Sequence, residues 1–163
     1  MPGTVRIMRR ILILFLFLLP SSAMAQYWGH YVNERFGYEL DIPPGYEGQG
    51  ESENGDGQTF HLLKAEQVLA AWSGYFVEGF EAEVAQRQRF AIDENWAITY
   101  QASTPQWAVF SGQRDHRIFY QRMMPLCDGA SYAGYRIEYN TRDLAEMNAV
   151  IDGLTRSFVP RGC

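Results

Sequence analysis

The sequence predicts an α+β protein, an antiparallel β-sheet flanked by helices, behind a secretory leader. Short runs in which apolar and polar residues alternate recur along the chain, and turn residues separate them, which is typical of half-buried strands. Two longer segments repeat apolar residues at helical spacing instead. The connections between the later strands are short, which favours antiparallel neighbours over crossovers.

The leader occupies residues 1–25. Three arginines precede an unbroken apolar run at 11–19, and small residues close the segment at Ala25, which is the three-part layout of a signal peptide. The apolar run is shorter than the roughly 20 residues that a spanning helix needs. We therefore expect cleavage after Ala25, no stable membrane anchor afterwards, and a single α+β domain at 26–163 in the periplasm or outside the cell.

The first half of that domain begins with two predicted strands, 31–33 and 38–42. Gly37 lies in the turn between them, where a positive φ is easily adopted. A glycine-rich, acidic stretch at 48–57 reads as a polar loop. Further strand character follows at 59–63 and at 68–77.

A helix is predicted next, over 79–93, because Phe80, Val84 and Ala91 recur at helical spacing. Glu83 and Arg87 add a favourable pair four residues apart.

The second half reads as a meander of strands and a closing helix. The predicted strands are 96–100, 107–111, 117–126 and 135–139, with Gly112 ending the second and turns at Asp115–His116 and Asp128–Gly129. Asn140 or Thr141 is expected to cap the last helix. Its apolar stripe is formed by Leu144, Met147, Val150, Ile151, Leu154 and Phe158, and Pro160 ends it.

Charge excludes some partners. The chain has 14 basic and 19 acidic residues, and three of the arginines lie in the leader, so residues 26–163 carry a formal charge of 11 − 19 = −8. An acidic domain repels nucleic acid phosphates and anionic lipid headgroups. We expect neither as a partner, and no motif indicates a cofactor.

The two cysteines, Cys127 and Cys163, are an even number in a chain expected to be exported, which points to a disulfide. Such a bond is worth about 3–4 kcal/mol in the chain-entropy description. Two free thiols, or an intermolecular bond through the terminal Cys163, are the alternatives. The C-x-x-C spacing of redox catalysts is missing.

The acidic loop from Glu51 to Gly57 is the first candidate site. Its sequence resembles the first half of a calcium-binding loop, but Ser52 and Leu63 occupy positions where that loop needs carboxylates. A glycine-rich turn between two strands explains the segment better. Whether the loop binds a cation stays open at this point.

The histidines give the second candidate. His30, His61 and His116 lack the spacing of a zinc site, so no metal ligand is assigned. Asp115 and His116 are adjacent and could form half of an acid–base pair. No serine has the G-x-S-x-G context of a hydrolase nucleophile, so no catalytic residue is assigned.

The chain also resembles the PsbP-like fold, named for an extrinsic subunit of the oxygen-evolving photosystem. The resemblance rests on four short pieces of sequence: Tyr31-x-Asn33, Phe36-Gly37-Tyr38, Ile42-Pro43 and Thr155-Arg156-Ser157-Phe158. It implies an αβα sandwich and, since members are mostly accessory or partner-binding proteins, a non-enzymatic role.

Two functions are therefore weighed. The first is an exported accessory or binding protein, with a protein or small molecule docked on the sheet or on the acidic loop. The alternative is a secreted, hydrolase-like enzyme whose site is assembled from distant residues around His116 and Asp115. A deep pocket that joins a histidine to a nucleophile and oxyanion donors would favour the enzyme. A shallow apolar surface would favour binding.

Overall fold

The computed structural model describes residues 27–163. The predicted leader and its cleavage after Ala25 lie outside the described residues. In chain order the elements are β1 (Gly29–Asn33), β2 (Tyr38–Ile42), β3 (Glu47–Glu51), β4 (Gly57–Leu62), β5 (Gln67–Tyr75), α1 (Phe80–Asp93), β6 (Ala97–Thr104), β7 (Trp107–Arg114), β8 (Arg117–Pro125), β9 (Ser131–Asn140), α2 (Leu144–Ser157) and β10 (Val159–Pro160). The α+β prediction is confirmed.

The strands form two antiparallel sheets. The large sheet has seven strands in the order β3-β4-β5-β9-β8-β7-β6, and a small sheet has the order β1-β2-β10. The run from β6 to β9 is the predicted meander. The insertion of β9 beside β5 is a long-range pairing that places Ala70 opposite Arg136.

Each face of the large sheet has its own apolar core. One face packs against α2 and the small sheet, and its core includes Tyr38, Leu40, Leu69, Tyr135 and Leu154. The other face packs against α1 through Val84, Trp96, Phe110, Phe119 and Met123. Alternate residues of β9 point to opposite cores because side chains alternate across a strand.

Three local predictions are wrong. Residues 48–51 belong to β3 rather than to a loop. Gly112 does not end its strand, since β7 continues to Arg114, and the Phe119 ring occupies the space where a Cβ at Gly112 would lie. Neither proposed cap acts through its side chain, because Asn140 instead donates to the Glu66 carboxylate at 2.8 Å.

Cys127 and Cys163 form a disulfide, with their Cα atoms 5.2 Å apart. The bond holds the chain terminus next to the end of β8, and β10 pairs with β2 just before it. The terminus is thus attached to both sheets. Within residues 27–163, no helix is both long and apolar enough to span a bilayer.

Candidate functional site

The face of the large sheet that carries α1 is only partly covered. Helix α1 lies over β6, β7 and β8. On the same face, β4 and β5 present Thr59, His61, Val68 and Ala70, and all four are half-buried. We call these four residues and the part of β9 beside them the open half-face.

The strand register connects the part of the large sheet that lies under α1 with the open half-face. One row across the sheet joins Thr59, Ala70, Arg136, Gln121 and Phe110 on neighbouring strands. Phe110 is fully buried under α1, whereas Thr59 and Ala70 are half-buried. Arg136 therefore stands at the boundary between the core and the open half-face.

Aromatic rings and one carboxylate hold Arg136. Its guanidinium carbon lies 3.9 Å from the centroid of the Phe119 ring and 5.0 Å from that of Trp96. Its Nε donates to Glu138 at 2.8 Å. Burial lowers the pKa of the Arg136 guanidinium, and the Glu138 carboxylate opposes that shift.

Nε is the only side-chain atom through which Arg136 hydrogen-bonds within residues 27–163, so its two terminal amino groups have no acceptor there. Arginine presents these groups in a rigid fork that matches a carboxylate. The arrangement can therefore bind a carboxylate supplied from outside the described chain.

Trp72 borders the open half-face at its other end. Its ring lies flat over Gly134, where a Cβ would collide with it, and the Arg87 guanidinium carbon lies 5.8 Å from the ring centroid. The indole Nε1 of Trp72 is the one buried side-chain nitrogen or oxygen of the described residues without a hydrogen-bond partner. A buried donor without an acceptor is uncommon in folded proteins.

The Asp115–His116 turn contributes to a hollow at one end of the open half-face. The hollow has a volume of about 370 Å³, and its lining includes His61, His116, Glu66, Arg117 and Asn140. The fold has brought together two histidines that are distant in sequence. Its lining contains no serine, threonine or cysteine, so the described residues supply no hydroxyl or thiol nucleophile there.

The acidic loop contributes to a second hollow, at the opposite end. This one measures about 340 Å³, and Gln49, Ser52, Asp56, Thr59 and Trp72 are among its lining residues. The two sites proposed from the sequence thus flank one surface. Both hollows are shallow and open, unlike a cleft that encloses a reacting group.

Internal hydrogen bonds hold the acidic loop in shape. Asp56 accepts from Ser52 Oγ at 2.6 Å and from Asn54 Nδ2 at 2.9 Å. Glu51 accepts from Tyr31 and from Asn33. Within residues 27–163, no three His, Cys, Asp or Glu side chains lie close enough together to hold a metal ion.

Sequence reasoning did not single out Arg136 or Trp72. Alternation in β9 does place Arg136 on the face opposite Tyr135 and Ile137. It gives no information on which strand lies alongside, and that neighbour decides whether the arginine is covered. The partial cover over Arg136 depends on the pairing of β5 with β9.

Solved structures share this architecture. The solution structure of cyanobacterial PsbP (CyanoP) from Synechocystis sp. PCC 6803 aligns with a TM-score of 0.64 at 12% identity, over 83% of this chain and 93% of that one. The Ran-binding protein Mog1p of Saccharomyces cerevisiae aligns with a TM-score of 0.61 at 7% identity, over 83% and 96%. No protein-family model and no curated protein matches the sequence.

The chain therefore has the PsbP-like fold, as the short sequence pieces predicted. At such low identity the likeness shows the fold alone, and function has to be argued from the surface.

Proposed function

We propose that this is an exported accessory protein that binds a partner protein across its open half-face. The observation that carries the proposal is the incomplete cover of the large sheet. Thr59, Val68 and Ala70 form a platform of short side chains on β4 and β5, whereas α1 lies over β6, β7 and β8. A platform between two shallow hollows suits a protein surface better than a small substrate, which needs a concave site.

Arg136 gives the platform a polar anchor. Interface arginines contribute strongly when they are partly desolvated and preorganised. The stacking on Trp96 and Phe119 fixes the orientation of the guanidinium before binding. We infer that the partner presents a carboxylate to it.

Two further observations support export and binding. The leader pattern of residues 1–25 and the bond between Cys127 and Cys163 both fit an oxidising compartment outside the cytoplasm. Mog1p, which has the same fold, is a Ran-binding protein, so this fold is compatible with protein binding. Within the described residues, the hollow around His116 offers no hydroxyl or thiol nucleophile to the hydrolase alternative.

The test is crosslinked capture from a periplasmic extract with three matched baits: the wild-type chain, Ala70→Arg and Ala145→Arg. Ala70 lies in the centre of the platform, whereas Ala145 is an exposed residue of α2. We expect one partner to be captured by the wild-type chain and by Ala145→Arg and lost with Ala70→Arg. Equal capture by all three folded baits would contradict the proposed surface, and circular dichroism checks that each bait is folded.

A further inference from the structure

A further hollow lies on the α2 side of the large sheet, away from the open half-face. It is bounded by helix α2, by the end of β2 and by Trp28, and its volume is about 620 Å³. This volume is within the range of small-ligand sites and is larger than that of either hollow beside the open half-face. Since α1 and α2 pack on opposite faces of the sheet, the hollow is separate from the surface that carries the proposed function.

Trp28 gives this hollow an aromatic wall whose position is fixed. The outer edge of its indole occupies the space that a Cβ at Gly153 would need. Glycine is unfavourable inside a helix, and within α2 it leaves room for the ring. The side chain of Trp28 is 37% exposed and lines the hollow. Part of the indole is therefore presented to solvent in a preset position.

The ring of Trp28 also differs from the other three tryptophan rings of the chain, because an arginine covers each of those. The distances from guanidinium carbon to ring centroid are 5.8 Å for Arg87 and Trp72, 4.4 Å for Arg114 and Trp96, and 5.1 Å for Arg122 and Trp107. Among residues 27–163, no guanidinium and no aromatic ring stacks on Trp28. Its indole is available to an apolar group from outside the chain.

Two side chains of opposite charge line the same hollow without pairing. Asp41 belongs to β2 and Arg156 to the last turn of α2. Nδ1 of His30 lies 2.8 Å from Oδ1 of Asp41, and within the described residues Oδ2 has no hydrogen-bond partner. Arg156 forms no salt bridge with any carboxylate of residues 27–163. A purely anionic ligand would therefore meet Asp41, and a purely cationic one would meet Arg156.

We propose that this hollow, which we call the zwitterion site, binds an amino acid or a short peptide with an apolar side chain. The ammonium group of the ligand pairs with Asp41, and its carboxylate pairs with Arg156, whose planar fork matches a carboxylate. The apolar side chain packs on Trp28, beside Pro44 and Val150. Charge complementarity at both ends favours this class over compounds that carry one charge or none.

The experiment follows the indole N–H signals of the full chain by NMR during titration with L-phenylalanine. We expect a saturable shift of the Trp28 signal, which Trp28→Phe identifies by its disappearance, while the other tryptophan signals stay in place. N-acetyl-L-phenylalanine and L-phenylalanine amide each lack one charge. Both should bind about fivefold more weakly, since an exposed ion pair contributes modestly.

The dipeptide phenylalanylglycine is the second probe, because it separates the two charges by one more residue. Tighter binding of the dipeptide than of L-phenylalanine assigns the site to peptides, and weaker binding assigns it to free amino acids. Either result supports a zwitterion site.

Matched variants locate the two charges. Asp41→Asn and Arg156→Gln should each weaken the binding of L-phenylalanine by about fivefold. Asp152→Asn removes an exposed carboxylate of α2 outside the lining of the hollow and should leave binding unchanged. Circular dichroism establishes that each variant is folded.

Three results would overturn the proposal. The first is the absence of a saturable shift at Trp28 with both L-phenylalanine and the dipeptide. The second is binding of the capped compounds as tight as that of L-phenylalanine. The third is a loss of affinity in Asp152→Asn as large as that in Asp41→Asn. None of them bears on partner binding at the open half-face, which lies on the other face of the sheet.

Discussion

The hydroxyl of Tyr31 lies 2.9 Å from each carboxylate oxygen of Glu51. This contact joins the small sheet to β3, an edge strand of the large sheet. Asn33 reinforces it by donating to the same carboxylate and to the carbonyl of Gly55, both at 2.9 Å. The acidic loop therefore owes its position to the small sheet, and its first carboxylate is already hydrogen-bonded within the chain.

Alkaline pH should reveal this contact. Burial raises the pKa of Tyr31 from its ordinary 10.0 to about 12, and Glu51 adds to the shift. Between pH 10 and pH 12 the Tyr31 hydroxyl therefore keeps its proton in the folded chain and loses it in the unfolded chain. The stabilisation is complete below pH 10 and is lost as the pH rises towards 12. In urea unfolding across that pH range, the free energy of unfolding should fall less for Tyr31→Phe than for the wild type.

Tyr27→Phe is the control for the alkaline experiment, because Tyr27 is 89% exposed. It should reproduce the wild-type pH dependence. If Tyr31→Phe also reproduces it, the Tyr31–Glu51 contact does not contribute as described.

Calcium should leave the melting temperature unchanged. The carboxylate oxygens of Asp56 accept from Ser52 and Asn54, and Glu51 is held by Tyr31 and Asn33. A cation would have to displace these donors without gaining the full set of oxygen ligands that calcium requires. A saturable rise in melting temperature that disappears with Asp56→Asn would show that the loop does bind the ion.

Cys163→Ser should destabilise the fold by about 2–4 kcal/mol, because the disulfide restricts the unfolded chain. Circular dichroism of the folded variant should stay native-like, since the pairing of β10 with β2 and the hydrogen bond from Arg161 N to Gly37 O remain. Reduction of the wild-type chain should give the same loss in a thermal melt. A Cys163→Ser variant with the same melting temperature as the oxidised wild type would contradict this account.

Gly153→Val should displace the indole of Trp28. A Cβ at Gly153 would collide with the outer edge of that ring, which packs on α2 only because glycine leaves the space. Trp28 is 37% exposed in the wild type, and its further exposure should shift the tryptophan emission to longer wavelength. Ala145→Val adds the same β-branched side chain at an exposed position of the same helix and should not change the emission.

Local patterns predicted much of this fold. Strand β2 was expected at the bounds the structure shows, and α1 within one residue of them. Both are governed by periodicity that short segments carry themselves. Edge strand β3 escaped prediction, because its glycines and glutamates also suit a loop and only pairing with β4 makes it a strand.

The sequence by itself determined the α+β class, the helices and the meander, because spacing and composition fix these properties locally. The cysteine count favoured a disulfide, and the fold decided it by bringing the Cα atoms of Cys127 and Cys163 to 5.2 Å. Tertiary structure alone decided that β9 lies beside β5, that α1 stops short of β4, and that His61 meets His116 across one hollow. Those features depend on contacts between residues far apart in the chain. Their free energy appears only when the strands have paired, and no local pattern records it.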